Sequence, residues 1–242
     1  MSNSKINFIP KIWFFDMEGT LLQKDFALDN GKVAPSAWTV LAKLISEECY
    51  LEEELSKDRW NAGEYNGYLD WMKDTIRIQQ EHGIKKWHVD EIVKSAKLHN
   101  GAHELITLIK ATNAKVVLIS GGIKALADKV QRELKIDHAF SACEYFFDDF
   151  GNLDFYNLLP TDNEGKASFM QQIAKEYGVP PSECAFVGDG KNDVALAKSV
   201  GISVAFNAQI ELSQIATFSI KQKKGQENLA YIKELIFSPD SF

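Results

Sequence analysis

The sequence predicts an α/β protein built on a parallel sheet, with a long helical segment inserted into it. Three observations carry this. Four short apolar runs have the length and β-branched or aromatic content of buried strands, helical periodicities follow them, and about a hundred residues without a convincing strand separate the first run from the second. Strands that are continuously apolar are buried on both faces, which is the mark of a parallel sheet covered by helices. The 242 residues exceed a typical domain of roughly 100–150 residues without reaching two, which fits one domain carrying an insertion.

Taken in order, Ile12-Trp13-Phe14-Phe15 reads as a strand that ends at Asp16, because Gly19-Thr20 breaks any helical continuation. Residues of roughly 26–99 follow, with periodicities at Trp38, Leu41, Leu44 and Ile45, at Leu69, Met72 and Ile76, and at Ile92, Val93 and Ala96. A plain crossover between parallel strands needs only about a dozen residues, so this stretch is an insertion. Lys115–Ile119 is the second strand, turning at Ser120-Gly121-Gly122 into a helix with Ile123, Leu126, Val130 and Leu134. Glu144 to Leu158 reads as a β-hairpin turning at Gly151-Asn152. Ala185–Gly188 and Ile202–Phe206 are the remaining strands, the former followed by a helix with Val194, Leu196 and Val200, and Leu229, Ile232, Leu235 and Ile236 mark a closing helix.

Composition narrows the functional classes. The 34 acidic side chains outnumber the 27 basic ones, and no basic run exceeds two or three residues, so a nucleic-acid-coating role is not expected. No stretch approaches the roughly 18 apolar residues of a membrane span, and Met1–Lys11 lacks the apolar segment of a secretory signal. Cys49, Cys143 and Cys184 are odd in number and widely spaced, which suggests neither a disulfide framework nor a metal site, and a cytoplasmic setting is the expectation.

In open parallel sheets the ligand crevice lies outside the carboxyl ends of the strands. Three strands here deliver chemistry to that edge: Asp16 and Glu18 from the first, Ser120 with Gly121-Gly122 from the second, Asp189 with Asn192 and Asp193 from the third. Lys166, in a predicted helix opening at Glu164, adds a cation. Carboxylates crowded in this way repel unless a hard cation or a proton shares the site, and the lack of His and Cys partners favours Mg²⁺ over zinc. Ser120 and the backbone N–H groups of the two glycines form a cradle for a phosphate. Asp16 is then placed to attack a phosphoryl group, and Glu18 to protonate the departing alkoxide and afterwards deprotonate the attacking water.

Asp16-Met17-Glu18-Gly19-Thr20-Leu21, Ser120-Gly121-Gly122, Lys166 and Gly188-Asp189-Gly190-Lys191-Asn192-Asp193 resemble, in this order, the four motifs of the haloacid dehalogenase superfamily, in the pattern of its phosphoserine phosphatase-like branch. The resemblance implies a Rossmann-like doubly wound parallel α/β core formed by residues 1–25 and 100–242, with an α-helical cap over 26–99. It implies Asp16 as nucleophile, Glu18 in the acid–base position with its backbone carbonyl on Mg²⁺, Asp189 as a direct metal ligand, and Asp193 as an outer ligand or partner of Lys166. Ser120, Gly121, Lys166 and Asn192 would hold the phosphate of a small phosphorylated metabolite. The activity implied is Mg²⁺-dependent phosphomonoester hydrolysis through an aspartyl-phosphate.

Two departures bear on substrate and turnover. Glu18 stands where the family's usual acid–base residue is Asp, which raises transfer to an alcohol acceptor, or a non-catalytic phospholigand-binding role, as alternatives. Asp25 stands where the branch places a carboxylate for the substrate ammonium, but Asp74 or Thr75 occupies the place of the cap arginine, with Arg59 and Arg77 off register. Neither replaces a bidentate arginine clamp, so phosphoserine is not the expected substrate. Among other candidates, Trp60, Tyr65, Tyr68 and Trp71 read as core in preference to pocket lining. His99 and His103 lack the rest of a zinc motif, and the acids at 47–48 and 52–54 read as a solvated helix face with no partner indicated.

Overall fold

The structure is a computed structural model and describes residues 8–236. Most of the N-terminal stretch read above as lacking a secretory signal lies outside the described residues. Ile12–Phe15 (β1), Lys115–Ile123 (β2), His138–Phe147 (β3), Leu153–Leu158 (β4), Cys184–Gly188 (β5), Ile202–Phe206 (β6) and Phe218–Ile220 (β7) form one seven-stranded sheet in the order β4-β3-β2-β1-β5-β6-β7. Every pairing is parallel except β3 with β4. The central strand β1 pairs with both β2 and β5, Phe15 lying opposite Leu118 and Val187, so the residues after Phe15, Leu118 and Val187 share one edge.

Alternation along the strands divides the core between the two faces of the sheet. Trp13, Phe15, Val116 and Leu118 belong to one buried cluster, and Ile12, Phe14, Val117 and Ile119 to the other. Glu164–Glu176 (α7) and Val194–Ser199 (α8) cover the second face through Met170, Ile173 and Leu196. Ala102–Ala111 (α5) and Lys124–Leu134 (α6) cover the first through Leu105, Ile109, Leu126 and Val130. This is the doubly wound α/β architecture expected.

Between β1 and α5 the described residues hold four helices, Ala37–Ile45 (α1), Glu47–Asn61 (α2), Tyr68–Glu81 (α3) and Lys86–Ser95 (α4), one more than the apolar periodicities predict. The unpredicted α2 has little apolar content. It is started by Ser46, whose hydroxyl accepts the Cys49 N–H at 3.0 Å, and it buries Cys49, Glu53 and Ser56 along one stripe. Glu47 and Glu48 are exposed as expected, but Glu53 is only 1% exposed, so the acidic run is not uniformly a solvated face.

Two further readings are corrected. Ser120-Gly121-Gly122 is not a turn: β2 continues through it to Ile123, with a register shift against β3 between Ser120 and Ile123. The glycines are required by close approach, since a Cβ on Gly121 would meet the Asp162 carboxyl at 2.7 Å and one on Gly122 would meet Glu18 Oε1 at 2.7 Å. The hairpin is present but longer, β3 starting at His138. Its turn is stabilised by Asp148, whose carboxylate accepts the N–H groups of Phe150 and Asn152, with Gly151 at φ 76°. Among the described residues the closing segment is a 3₁₀ turn at Leu229–Tyr231 leading into a helix at Ile232–Ile236. No helix among the described residues is long and apolar enough to cross a membrane.

Candidate active site

The site forms where β1 and β5 end and β2 runs on past them through Ser120-Gly121-Gly122. The Asp16 N–H continues the ladder by donating to Val187 O at 2.9 Å, which fixes the first carboxylate at the strand tip. The chain then folds back on itself: the N–H groups of Leu21 and Leu22 donate to Met17 O, and that of Gly19 donates to Leu22 O at 2.7 Å. Gly19 sits at φ 83°, and a Cβ there would meet Asp189 Oδ2 at 2.3 Å, so this turn can pass beside the third strand end only as glycine.

Lys166 is fully buried and lies 2.5 Å from Asp16 Oδ1 and 2.6 Å from Asp193 Oδ1. Burial alone would lower its pKa, but Asp16, Asp193 and Asp162 hold it well above the ordinary lysine value. It is therefore a permanent cation beneath the carboxylates and does not stand on the cavity wall. Asp193 Oδ2 accepts the N–H groups of Asp189 and Gly190 at 3.1 and 3.0 Å, so the loop after β5 is organised around this one carboxylate. Lys24 reaches Asp189 Oδ2 at 2.8 Å from the other side.

Oxygens of Asp16, Asp189 and Asp193 all lie within 4.8 Å of one another. Burial raises the pKa of Asp189 despite Lys24, and lifts Asp193 to about 7 despite Lys166. Burial thus disfavours the charged form of both carboxyls more than the two lysines favour it. An all-carboxylate oxygen donor set of this kind fits a hard divalent cation such as Mg²⁺.

Glu18 is held away from this cluster by the insert: the N–H of Ala37, first residue of α1, donates to Glu18 Oε2 at 2.5 Å. Burial raises Glu18 to about 7, against Lys24 and the Ala37 N–H, which pull it down. On β2, Ser120 is buried, its hydroxyl accepting the Gly122 N–H at 3.0 Å while its carbonyl accepts from Thr161 at 2.7 Å. The Gly121 carbonyl accepts from two side chains of the insert, Trp38 Nε1 at 2.9 Å and the Tyr68 hydroxyl at 3.1 Å. Asn192 is oriented by Asp162, donating to it at 2.6 Å.

Asp16, Glu18, Ser120, Gly121, Asp189 and Asn192 line one cavity of about 220 Å³, roofed by Trp38, Tyr68 and Trp71. Tyr68 and Trp71 thus line the site. Trp60 stacks on Trp71, and Tyr65 bonds Asp74 instead. Asp25 is not on this wall: it pairs with Lys97 at 3.0 Å and borders an adjoining cavity. Asp74 is taken by Arg59 at 2.8 Å and Arg77 at 2.9 Å, and the Thr75 hydroxyl bonds Trp71 O. His99 packs edge-on to Phe206 and His103 is exposed, apart from the acidic cluster. Lys24, Trp38, Thr161 and Asp162 carry no sequence signal that separates them from ordinary surface or core residues.

A family model described as haloacid dehalogenase-like hydrolase matches residues 10–201. A phosphoserine phosphatase of Idiomarina loihiensis is 32% identical over 170 residues, covering 69% of this chain and 76% of that protein. One of Methanocaldococcus jannaschii is 27% identical, covering 92% and 98%. One of Archaeoglobus fulgidus is 27% identical over 99% of this chain, which spans 63% of that longer relative. A solved structure described as a phospho-aspartyl intermediate analogue of phosphoserine phosphatase has the same fold, with a TM-score of 0.73 over 95% of this chain and 100% of that one at 22% identity. With its four motifs converging at the strand ends and most of its length matched, this chain belongs to the haloacid dehalogenase-like hydrolases, in their phosphoserine phosphatase-like branch.

Proposed function

We propose that the protein is a Mg²⁺-dependent phosphatase that hydrolyses a small phosphomonoester through an aspartyl-phosphate on Asp16, with residues 26–99 acting as a cap over a core of 1–25 and 100–242. The observation that carries this is the pairing of two unlike carboxyls in one cavity. Asp16 is locked by Lys166 at 2.5 Å, and Glu18 is raised to about 7. Groups whose environments differ in this way divide into nucleophile and acid–base catalyst.

Asp16 attacks phosphorus, and the alkoxide that departs takes the proton of Glu18. Water then attacks the aspartyl-phosphate, gives a proton to the Glu18 carboxylate, and releases phosphate with Asp16 and the Glu18 acid restored. A value near 7 suits one group to both halves of this cycle. Asp16, Asp189 and the Glu18 backbone carbonyl, with Asp193 as an outer ligand, would hold Mg²⁺, whose charge would offset the repulsion between the attacking carboxylate and the phosphate. The Ser120 hydroxyl, the Gly121 N–H and Asn192 orient the phosphoryl oxygens, while Trp38, Tyr68 and Trp71 exclude bulk water. The three cysteines are free and buried, in keeping with a cytoplasmic enzyme.

A panel of phosphorylated metabolites assayed with Mg²⁺ tests the reading, with Asp16→Asn as the blank. Turnover should need Mg²⁺ and fall at least about a thousandfold in the variant. A folded parent protein that hydrolyses no ester above the blank overturns it.

A further inference from the structure

Beside the phosphate cavity lies a second and larger one, of about 340 Å³. It sits where the two connections to the insert, residues 22–36 and 95–97, meet α4 and α6. Glu18, Lys24 and Ser36 line both cavities. The acid that protonates the leaving-group oxygen must touch that oxygen. With the phosphoryl group among Asp16, Ser120 and Asn192, the scissile oxygen lies at Glu18, and the remainder of the alcohol has the second cavity to extend into.

The walls of that cavity define what fits. Leu22, Phe26, Ala27, Ala34, Val40 and Ile92 give it an apolar lining. Its polar side chains are largely engaged within the chain. Gln23 donates to Leu98 O at 2.8 Å, Lys24 pairs with Asp189, Asp25 pairs with Lys97, and the Ser95 hydroxyl donates to Ile92 O at 3.1 Å. An ammonium or carboxylate on the leaving group would have to compete with these pairs for its partner. An apolar body displaces only water, and 340 Å³ is within the usual range of small-molecule sites.

Resting on the phosphatase reading above, we infer that this cavity is the leaving-group site and that the substrate class is phosphate monoesters of alcohols with an apolar aliphatic or aromatic body.

The test compares kcat/KM for ethyl phosphate, 2-phenylethyl phosphate and O-phospho-L-serine, whose primary alkoxides place similar demands on Glu18. Burying the phenyl group should favour 2-phenylethyl phosphate over ethyl phosphate by roughly ten- to a hundredfold, with O-phospho-L-serine at or below ethyl phosphate. Filling the cavity with Ala27→Phe should lower kcat/KM for 2-phenylethyl phosphate more than for ethyl phosphate and so remove that preference. Ala96→Leu, which also lines the cavity, serves if the first variant does not fold. Equal rates for the two alkyl esters, a preference for O-phospho-L-serine, or a variant that slows both esters alike overturns the inference while hydrolysis itself stands. If a folded protein cleaves neither these esters nor p-nitrophenyl phosphate, the phosphatase reading fails, and this inference with it.

Discussion

The bond from the Ala37 N–H to Glu18 Oε2 allows the insert's part in catalysis to be measured by one substitution, Ala37→Pro. Ala37 is the first residue of α1, a position where proline is well tolerated because its missing N–H is not needed within the helix. Ser36 before it is extended, at φ −155° and ψ 166°, as a residue preceding proline must be. The helix therefore survives, while the donor at 2.5 Å is replaced by a ring carbon that turns Glu18 aside. A hydrogen bond to a charged group contributes about 1.5–3 kcal/mol, so a fully misdirected acid should cost roughly ten- to a hundredfold in rate. The assay is kcat/KM, which reports steps up to phosphorylation of Asp16, measured on an alkyl phosphate and on p-nitrophenyl phosphate. Nitrophenolate leaves with little protonation, so its rate should fall far less than the alkyl ester's, with the melting temperature nearly unchanged. Equal losses on both esters in a folded variant would refute the claim that this N–H aims the acid.

Tyr68→Phe should lower kcat/KM by about three- to tenfold and weaken inhibition by inorganic phosphate in proportion, because it removes one of the two donors that fix the Gly121 carbonyl. A fall in rate with unchanged phosphate inhibition would place its effect elsewhere. Glu53 gives a stability prediction away from the site. Burial raises its pKa above 4.5, and Lys57 at 2.9 Å opposes without cancelling. A carboxyl raised on folding favours the folded state below its unfolded pKa and loses that advantage as pH rises through its folded value. Glu53→Gln should therefore melt higher than the parent by a margin that grows as pH rises above the ordinary carboxylate range. A variant that melts lower at the upper end would show that the pair with Lys57 outweighs the burial.

What was legible in the sequence was what the backbone places locally. Asp16 and Asp189 directly follow strands, Ser120 lies on one and Asp193 in the turn after another, and in a parallel sheet the carboxyl ends of the strands converge whatever lies between them. Lys166 could be read as a cation near that edge, but not as one buried between two carboxylates, because that depends on contacts 150 and 27 residues away. Lys24 and Asp162 were invisible for the same reason. Trp38 and Tyr68 hold the Gly121 carbonyl with polar tips carried on bodies that pattern as core. Glu53 was misjudged because a run of acids has the same pattern whether or not one member points inward. Glycines 121 and 122 pattern as a turn because a requirement for φ freedom and a requirement for empty space give the same residue.

Glu18 joins these levels. An aspartate at this position would end about 1.3 Å shorter, out of reach of α1. The longer side chain spans from the loop after β1 to the first N–H of the insert, and its other oxygen faces Gly122, whose missing Cβ leaves the room it needs. The departure that raised alternatives to hydrolysis is thus accommodated on both sides by this structure. The carboxyl is oriented by a backbone donor instead of swinging free, and orientation at the level of about 1 Å is what an acid–base catalyst requires. On the proposed function, a residue placed in this way would tie readiness for proton transfer to the position of α1, so protonation of the leaving group should be lost, with the helix intact, when Ala37 can no longer donate.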